Sequence, residues 1–216
     1  MAKKFVLILG GARSGKSTFA QGLAQSIGEK VLFVATGAPL DDEMALRIEA
    51  HKRKRPESWR TLEIGVKVGQ SLEKEIEDAE VVLLDCLTLL VSNVILKPSL
   101  PITLMEPFPC CHSEPFAPCH SEGEKRPKNL AQDKLGKTIS EAEAQVMSEM
   151  EQLINFIDKY KGTFIAVSNE VGLGLVPENR LGRVYRDLLG KANQLLAQRA
   201  DEVYFMAAGI PLKIKG

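Results

Sequence analysis

Five short apolar runs punctuate the chain: Phe5–Leu9, Val31–Ala35, Val81–Leu84, Phe164–Ser168 and Val203–Ala207. They are continuous and do not alternate with polar residues, which marks strands covered on both faces, as in a parallel sheet. Helical spacing fills the intervals. Ser17–Ile27 follows the first run, and Leu40–Lys54 follows the second, with Asp41 and Asp42 suited to a helix start. Ser140–Tyr160 carries Val146, Met150, Leu153, Ile154 and Ile157 on one stripe, and Glu178–Arg199 carries Leu181, Val184, Leu188, Leu195 and Leu196. Strand alternating with helix predicts a three-layer α/β domain with a mainly parallel central sheet.

Residues 98–137 break this rhythm. The segment is rich in Pro, Ser and Glu, has no period, and holds "CHSE" twice, at 111–114 and 119–122. Such a sequence buries too little apolar surface to offset its ordering entropy. The expectation is one domain over 1–216, interrupted by a flexible insertion at 98–137. Cys110, Cys111, His112, Cys119 and His120 invite a metal-site reading, but their spacing is not a standard zinc pattern and the repeat points to duplicated sequence.

Charge narrows the function classes. Lys plus Arg number 28 and Asp plus Glu 28, so nothing global points to nucleic acid or an anionic membrane. The opening "MAKKFVLILGG" has too short an apolar run for a signal peptide, and no stretch reaches the ~20 apolar residues of a membrane span. A cytoplasmic protein with reduced thiols is expected.

Chemistry enters with "LILGGARSGKST". Gly10-x-x-x-x-Gly15-Lys16-Ser17 is a phosphate loop, placed after a predicted strand and before a predicted helix. The glycines let backbone N–H groups converge on a phosphate, and the helix aims its positive end at the same anion. Gly10, Gly11, Ala12, Arg13, Ser14, Gly15, Lys16, Ser17 and Thr18 are therefore nucleotide-binding candidates, with Lys16 at the β/γ-phosphates and Ser17 on Mg²⁺. Asp85, closing "EVVLLDC", is the second candidate Mg²⁺ ligand. These two parts predict a nucleotide site without naming the reaction.

His51 stands beside Lys52, Arg53, Lys54 and Arg55, followed by Pro56 and the single Trp59. On the predicted Leu40–Lys54 helix it shares a face with Leu40, Met44 and Ile48. One reading is a histidine at the end of an apolar stripe, with cations offsetting the helix dipole. The other is a nucleophile: a neutral imidazole attacks phosphorus, and adjacent cations keep it neutral and bind the leaving pyrophosphate.

Four stretches, "GGARSGKS" at 10–17, "DDEMALRIEAHKRKRPESWRTLE" at 41–63, the acidic strand end at Asp85 and "SNEVGLGLVPENRLGRVYRDLLGKANQLLA" at 168–197, give the chain a family resemblance. It resembles the bifunctional adenosylcobinamide kinase / adenosylcobinamide-phosphate guanylyltransferase family of cobalamin biosynthesis. The resemblance implies a P-loop NTPase (RecA-like) fold and a homotrimer. It implies ATP and GTP as substrates with Mg²⁺, acting on a corrinoid partner. It implies catalytic His51, which becomes guanylylated, and Lys16, with a nucleotide site that also takes in Thr36, Gly37, Ala38, Lys52, Arg53, Lys54, Arg55, Glu63 and Asp85. Residues 98–137 have no counterpart in the family pattern. Trp59 is open between packing and ligand contact. In the fourth stretch, Pro177 suits a helix start, while Asn179, Arg183, Arg186, Gly190 and Asn193 share a polar face. That face is either solvated or turned to substrate phosphate or a neighbouring subunit. The rival functions are a P-loop small-molecule kinase without a covalent intermediate and a RecA-like nucleotide switch.

Overall fold

The computed structural model describes residues 3–37, 49, 52, 55–96 and 130–216, with main chain alone over 130–137. Strands β1 (Lys4–Gly10), β2 (Val31–Ala35), β3 (Arg60–Glu63), β4 (Val81–Asp85), β5 (Thr163–Val167), β6 (Glu202–Ala207) and β7 (Ile210–Lys215) form one sheet. Its spatial order is β3-β2-β4-β5-β1-β6-β7. Every pairing is parallel except β6 with β7, which is antiparallel. The helices are α1 (Lys16–Ile27), α2 (Val68–Glu75), α3 (Leu87–Ile95), α4 (Leu130–Lys159) and α5 (Arg180–Arg199). This is the three-layer, mainly parallel α/β architecture anticipated from the apolar runs.

Among the described residues the two faces of the sheet are covered unequally. Phe5, Leu7 and Leu9 of β1 join Leu32, Val34, Val82, Leu84, Phe164 and Ala166 in a large core closed by α2, α3, α4 and α5. Val6 and Ile8 point the other way, with Phe33, Leu83 and Ile165, toward α1 and Trp59. Helix α1 presents Ala20 and Ala24, both fully buried and one turn apart, so its backbone lies close over β4 and β5. That close seat fixes where the loop before α1 sits.

Long-range polar contacts lock the larger face. Val68 N–H at the start of α2 donates to Glu149 Oε1 of α4 at 2.8 Å, so the carboxylate caps a helix remote in sequence. One residue on, α2 touches α4 so closely that a Cβ on Gly69 would lie 2.4 Å from the Gln152 carbonyl oxygen.

Strands β3 and β7 and helices α2 and α3 had no counterpart among the apolar runs and helical spacings. Helix α4 begins at Leu130, ahead of the expected Ser140, so its first residues lie within the span assigned to the insertion. Helix α5 begins at Arg180, past Pro177, because Asn179 is its N-cap and accepts from Gly182 N–H at 2.6 Å. The predicted Leu40–Lys54 helix and the cysteine-rich stretch lie outside the described residues, apart from Glu49 and Lys52, which are helical.

Candidate nucleotide-binding site

Parallel strands end on a common edge, and the site lies there. Ala35 pairs with both Glu63 and Asp85, Asp85 with Val167, and Gly10 with Met206. A cleft of about 550 Å³ opens along this edge. Its lining joins residues 12–18 of the phosphate loop to Gly37, Arg55, Glu63 and Asp85, all candidates from the sequence.

The loop owes its shape to two glycines. Gly10 has φ +151°, and a Cβ there would lie 2.6 Å from the Met206 carbonyl oxygen. Gly15, at φ +90°, is the N-cap of α1 and makes no side-chain cap hydrogen bond. The first turn of α1 carries no acidic side chain. Its leading N–H groups therefore face the cleft as donors for an anion. The β6–β7 turn braces the loop from behind, with Gly209 N–H donating to the Ser14 carbonyl at 3.0 Å.

Lys16 is almost buried, and its ammonium donates to the Gly11 carbonyl at 2.5 Å. Burial pushes its pKa down, while Cys86 and Asp85 oppose the shift. Arg55 is a half-buried cation beside it. Its guanidinium carbon lies 3.5 Å from the centre of the Phe33 ring, and Phe33 stacks in turn on Trp59. Arg55 Nε and Nη1 are buried without hydrogen-bond partners among the described residues. Burial lowers its pKa, and Asp85 and Glu63 counter this. Trp59 is buried and packs against Phe33, as the packing reading expects.

Several expected site residues also carry structural contacts. Thr36 is buried, and its hydroxyl donates to the Cys86 carbonyl at 2.6 Å and accepts from Cys86 N–H at 3.0 Å. It ties the end of β2 to the end of β4, between the cleft-lining Ala35 and Gly37. Gly10 is buried and Gly11 half-buried, immediately before the lining residues in sequence. Lys52 is paired with Glu63 at 2.5 Å, at the rim. Cys86 is pushed up to about 11 by burial, then by Asp85, so its thiol stays protonated at neutral pH. His51, Ala38, Arg53 and Lys54 lie outside the described residues. Asn193, placed on a polar helix face by the sequence, is buried and bonded to Ser168 and Asn169.

Sequence reasoning missed Phe33, Thr88, Leu89 and Asn169, which also line the cleft. Phe33 reads as core in an apolar run. The other three become site residues only when the strand order is known. Ser17 and Asp85 place a hydroxyl and a carboxylate in the same cleft, a hard-oxygen set of the kind that holds Mg²⁺ through one or two ligands beside phosphate oxygens and waters. No helix among the described residues is long and apolar enough to cross a membrane.

The family model described as cobinamide kinase / cobinamide phosphate guanyltransferase matches residues 6–214. The bifunctional adenosylcobalamin biosynthesis protein CobU of Escherichia coli (strain K12) is 37% identical, covering 97% of this chain and 99% of its own. The protein of the same name from Salmonella typhimurium LT2 is 35% identical with the same coverage. CobP of Pseudomonas aeruginosa PAO1 is 35% identical, covering 97% of this chain and 96% of its own. Among solved structures, the RadB recombinase aligns over 94% of this chain and 74% of its own, with a TM-score of 0.43 and 14% identity.

Proposed function

Since the chain belongs to the cobinamide kinase / cobinamide phosphate guanyltransferase family, we propose that it phosphorylates adenosylcobinamide and then transfers GMP from GTP to the product through a guanylylated His51. The observation that carries this reading is a cleft that gathers the uncapped start of α1, Lys16, Ser17, Arg55, Glu63 and Asp85.

In the first reaction the phosphate loop and Lys16 hold the β/γ-phosphates of ATP or GTP, and the terminal hydroxyl of the cobinamide side arm attacks the γ-phosphorus in line. A new O–P bond forms, the bridging O–P bond breaks, and the nucleoside diphosphate leaves with the electron pair. Ser17 and Asp85 would hold Mg²⁺, which supplies charge neutralisation at the phosphates. The protein's own share is positioning and electrostatic stabilisation by Lys16, Arg55 and the α1 amides.

In the second reaction the His51 imidazole attacks the α-phosphorus of GTP and pyrophosphate departs. The phosphate of adenosylcobinamide phosphate then attacks the same phosphorus, freeing the imidazole and giving adenosylcobinamide-GDP. Lys52, next in sequence to His51, is bound to the cleft residue Glu63, which supports a histidine near the nucleotide. The test is to incubate the protein with α-labelled GTP and Mg²⁺ and then denature it. An acid-labile, alkali-stable label that is absent from His51→Ala is the expected result. Equal labelling of the variant would remove His51 from the mechanism.

The same reading makes the protein a cytoplasmic homotrimer. Exposed Ile210, Leu212 and Ile214 on β7, and Leu173, Leu175 and Val176 in the loop before α5, offer apolar surface for subunit contacts. Light scattering that returned a monomer at micromolar concentration would dismiss the trimer.

A further inference from the structure

Strand β5 lies between β4, which ends at Asp85, and β1, which feeds the phosphate loop. Val167 pairs with Asp85 on one side and Ile8 on the other. The chain leaving β5 therefore emerges between the two halves of the nucleotide site, and Asn169 lines the cleft there with Lys16, Ser17 and Asp85.

Its main chain is held from several directions. Ser168 N–H donates to the Ile8 carbonyl at 2.9 Å and Glu170 N–H to the Gly10 carbonyl at 3.0 Å. Asn169 N–H donates to Thr88 Oγ1 at 2.8 Å. Asn193 of α5 donates through Nδ2 to the Asn169 carbonyl at 3.0 Å, and its Oδ1 accepts from Ser168 Oγ at 2.7 Å. Ser168 is fully buried and Asn193 is 4% exposed. A buried polar network is destabilising unless it is satisfied, and this one satisfies itself by fixing two consecutive residues at the cleft edge.

We propose that Asn169 is a catalytic residue of phosphoryl transfer, its side-chain N–H donating to the γ-phosphoryl group and its side-chain oxygen accepting from the attacking hydroxyl. Asn193 is the positioning residue that sets it through the 168–169 main chain. The assignment rests on the kinase reading above. An amide suits the position because it donates and accepts at once and carries no charge. A carboxylate there would repel the triphosphate. An amide cannot take the proton, so Asn169 orients and does not act as a base. As the acceptor O–P bond forms and the bridging O–P bond breaks, the electron pair leaves with the nucleoside diphosphate and the hydroxyl proton passes to solvent water.

The test compares Asn169→Ala, Asn169→Asp and Asn193→Ala in two assays, phosphorylation of adenosylcobinamide and guanylyl transfer to pre-formed adenosylcobinamide phosphate. Asn169→Ala should lower the kinase kcat ~10²-fold or more, the usual loss for one transition-state donor, with nucleotide KM held within about three-fold. Guanylyl transfer, which breaks a different P–O bond, should stay within about five-fold. Asn169→Asp should fall at least as far. Asn193→Ala should lose ~10-fold in kinase kcat, and the double variant should lose no more than Asn169→Ala alone. Wild-type kinase turnover in Asn169→Ala overturns the proposal. So does a parallel fall of both activities with melting temperature, which would make the network structural only. A wild-type chain without kinase activity overturns the underlying reading, and this assignment with it, and is recognised before any variant is made.

Discussion

Arg55 rests on the face of Phe33, with 3.5 Å between guanidinium carbon and ring centre, and it keeps two nitrogens buried without hydrogen-bond partners among the described residues. Buried donors without acceptors on this half-buried cation are destabilising by themselves and become satisfied when an anion arrives. The stack on Phe33 supplies part of the compensation, and Asp85 and Glu63 supply field.

Arg55→Ala should therefore weaken triphosphate binding by about 1.5–3 kcal/mol, roughly 10- to 150-fold. The ligand-free protein should melt no lower than wild type. Arg55→Lys should recover little affinity, because a point charge cannot stack or fork. Calorimetric titration with nucleotide, beside a ligand-free melt, checks both. A ligand-free protein strongly destabilised by Arg55→Ala would mean that the arginine is structural.

Gly10→Ala should disable the phosphate loop. The new methyl would meet the Met206 carbonyl at 2.6 Å, in a strand that cannot retreat without breaking its pairing with β1. Overpacking of this kind costs about 1–3 kcal/mol. Loss of nucleotide-induced thermal stabilisation, with folding retained, is the expected observation.

The Glu149 carboxylate caps α2 from α4, and both partners are buried. Glu149→Ala should destabilise by about 1–3 kcal/mol, since it leaves the Val68 N–H unsatisfied. Glu149→Gln keeps an acceptor and should lose less than half of that. Denaturant melts distinguish the two, and equal losses would deny the cap.

Strands β1, β6 and β7 are stitched by Glu202, which bonds Lys213 at 2.7 Å and Lys4 at 3.0 Å. The Lys213 bond foremost, then the Lys4 bond, holds its carboxyl down to about 2 from an ordinary 4.5. The folded state thus favours the ionised form. Its contribution is complete above pH 4.5 and fades as pH falls toward 2. Melting temperatures of wild type and Glu202→Gln should differ at neutral pH and converge toward pH 2. A gap that persisted at pH 2 would reject the ionic account.

What the sequence made legible follows from range. The phosphate loop is local: strand, glycines and helix are consecutive, so spacing alone located Lys16 and Ser17. Strands β1, β2, β4 and β5 are nearly or wholly buried, and their apolar runs are unbroken. Strand β3 is short and largely exposed, and β7 is exposed along its whole length, so neither leaves a core pattern. Helix α3 is apolar on most sides and follows β4 at once, which hides the change of period. The role of Asn169 depends on β5 lying between β1 and β4. That pairing joins residues more than 70 positions apart, and no window of sequence contains it. Asn193 misled for the same reason, since a helix face reads as polar whether it meets solvent or a buried network.

The turn between β6 and β7 reaches the Ser14 carbonyl with one backbone hydrogen bond, and its Gly209 Cα would stand 3.1 Å from a methyl on Gly15. The outermost ribbon of the sheet is therefore a strut against the phosphate loop. A load on Ile210, Leu212 or Ile214, from a second subunit or any other surface laid along that rim, has a short lever to that loop. Tightening or loosening at the periphery would be felt as a change in how firmly a triphosphate is clasped.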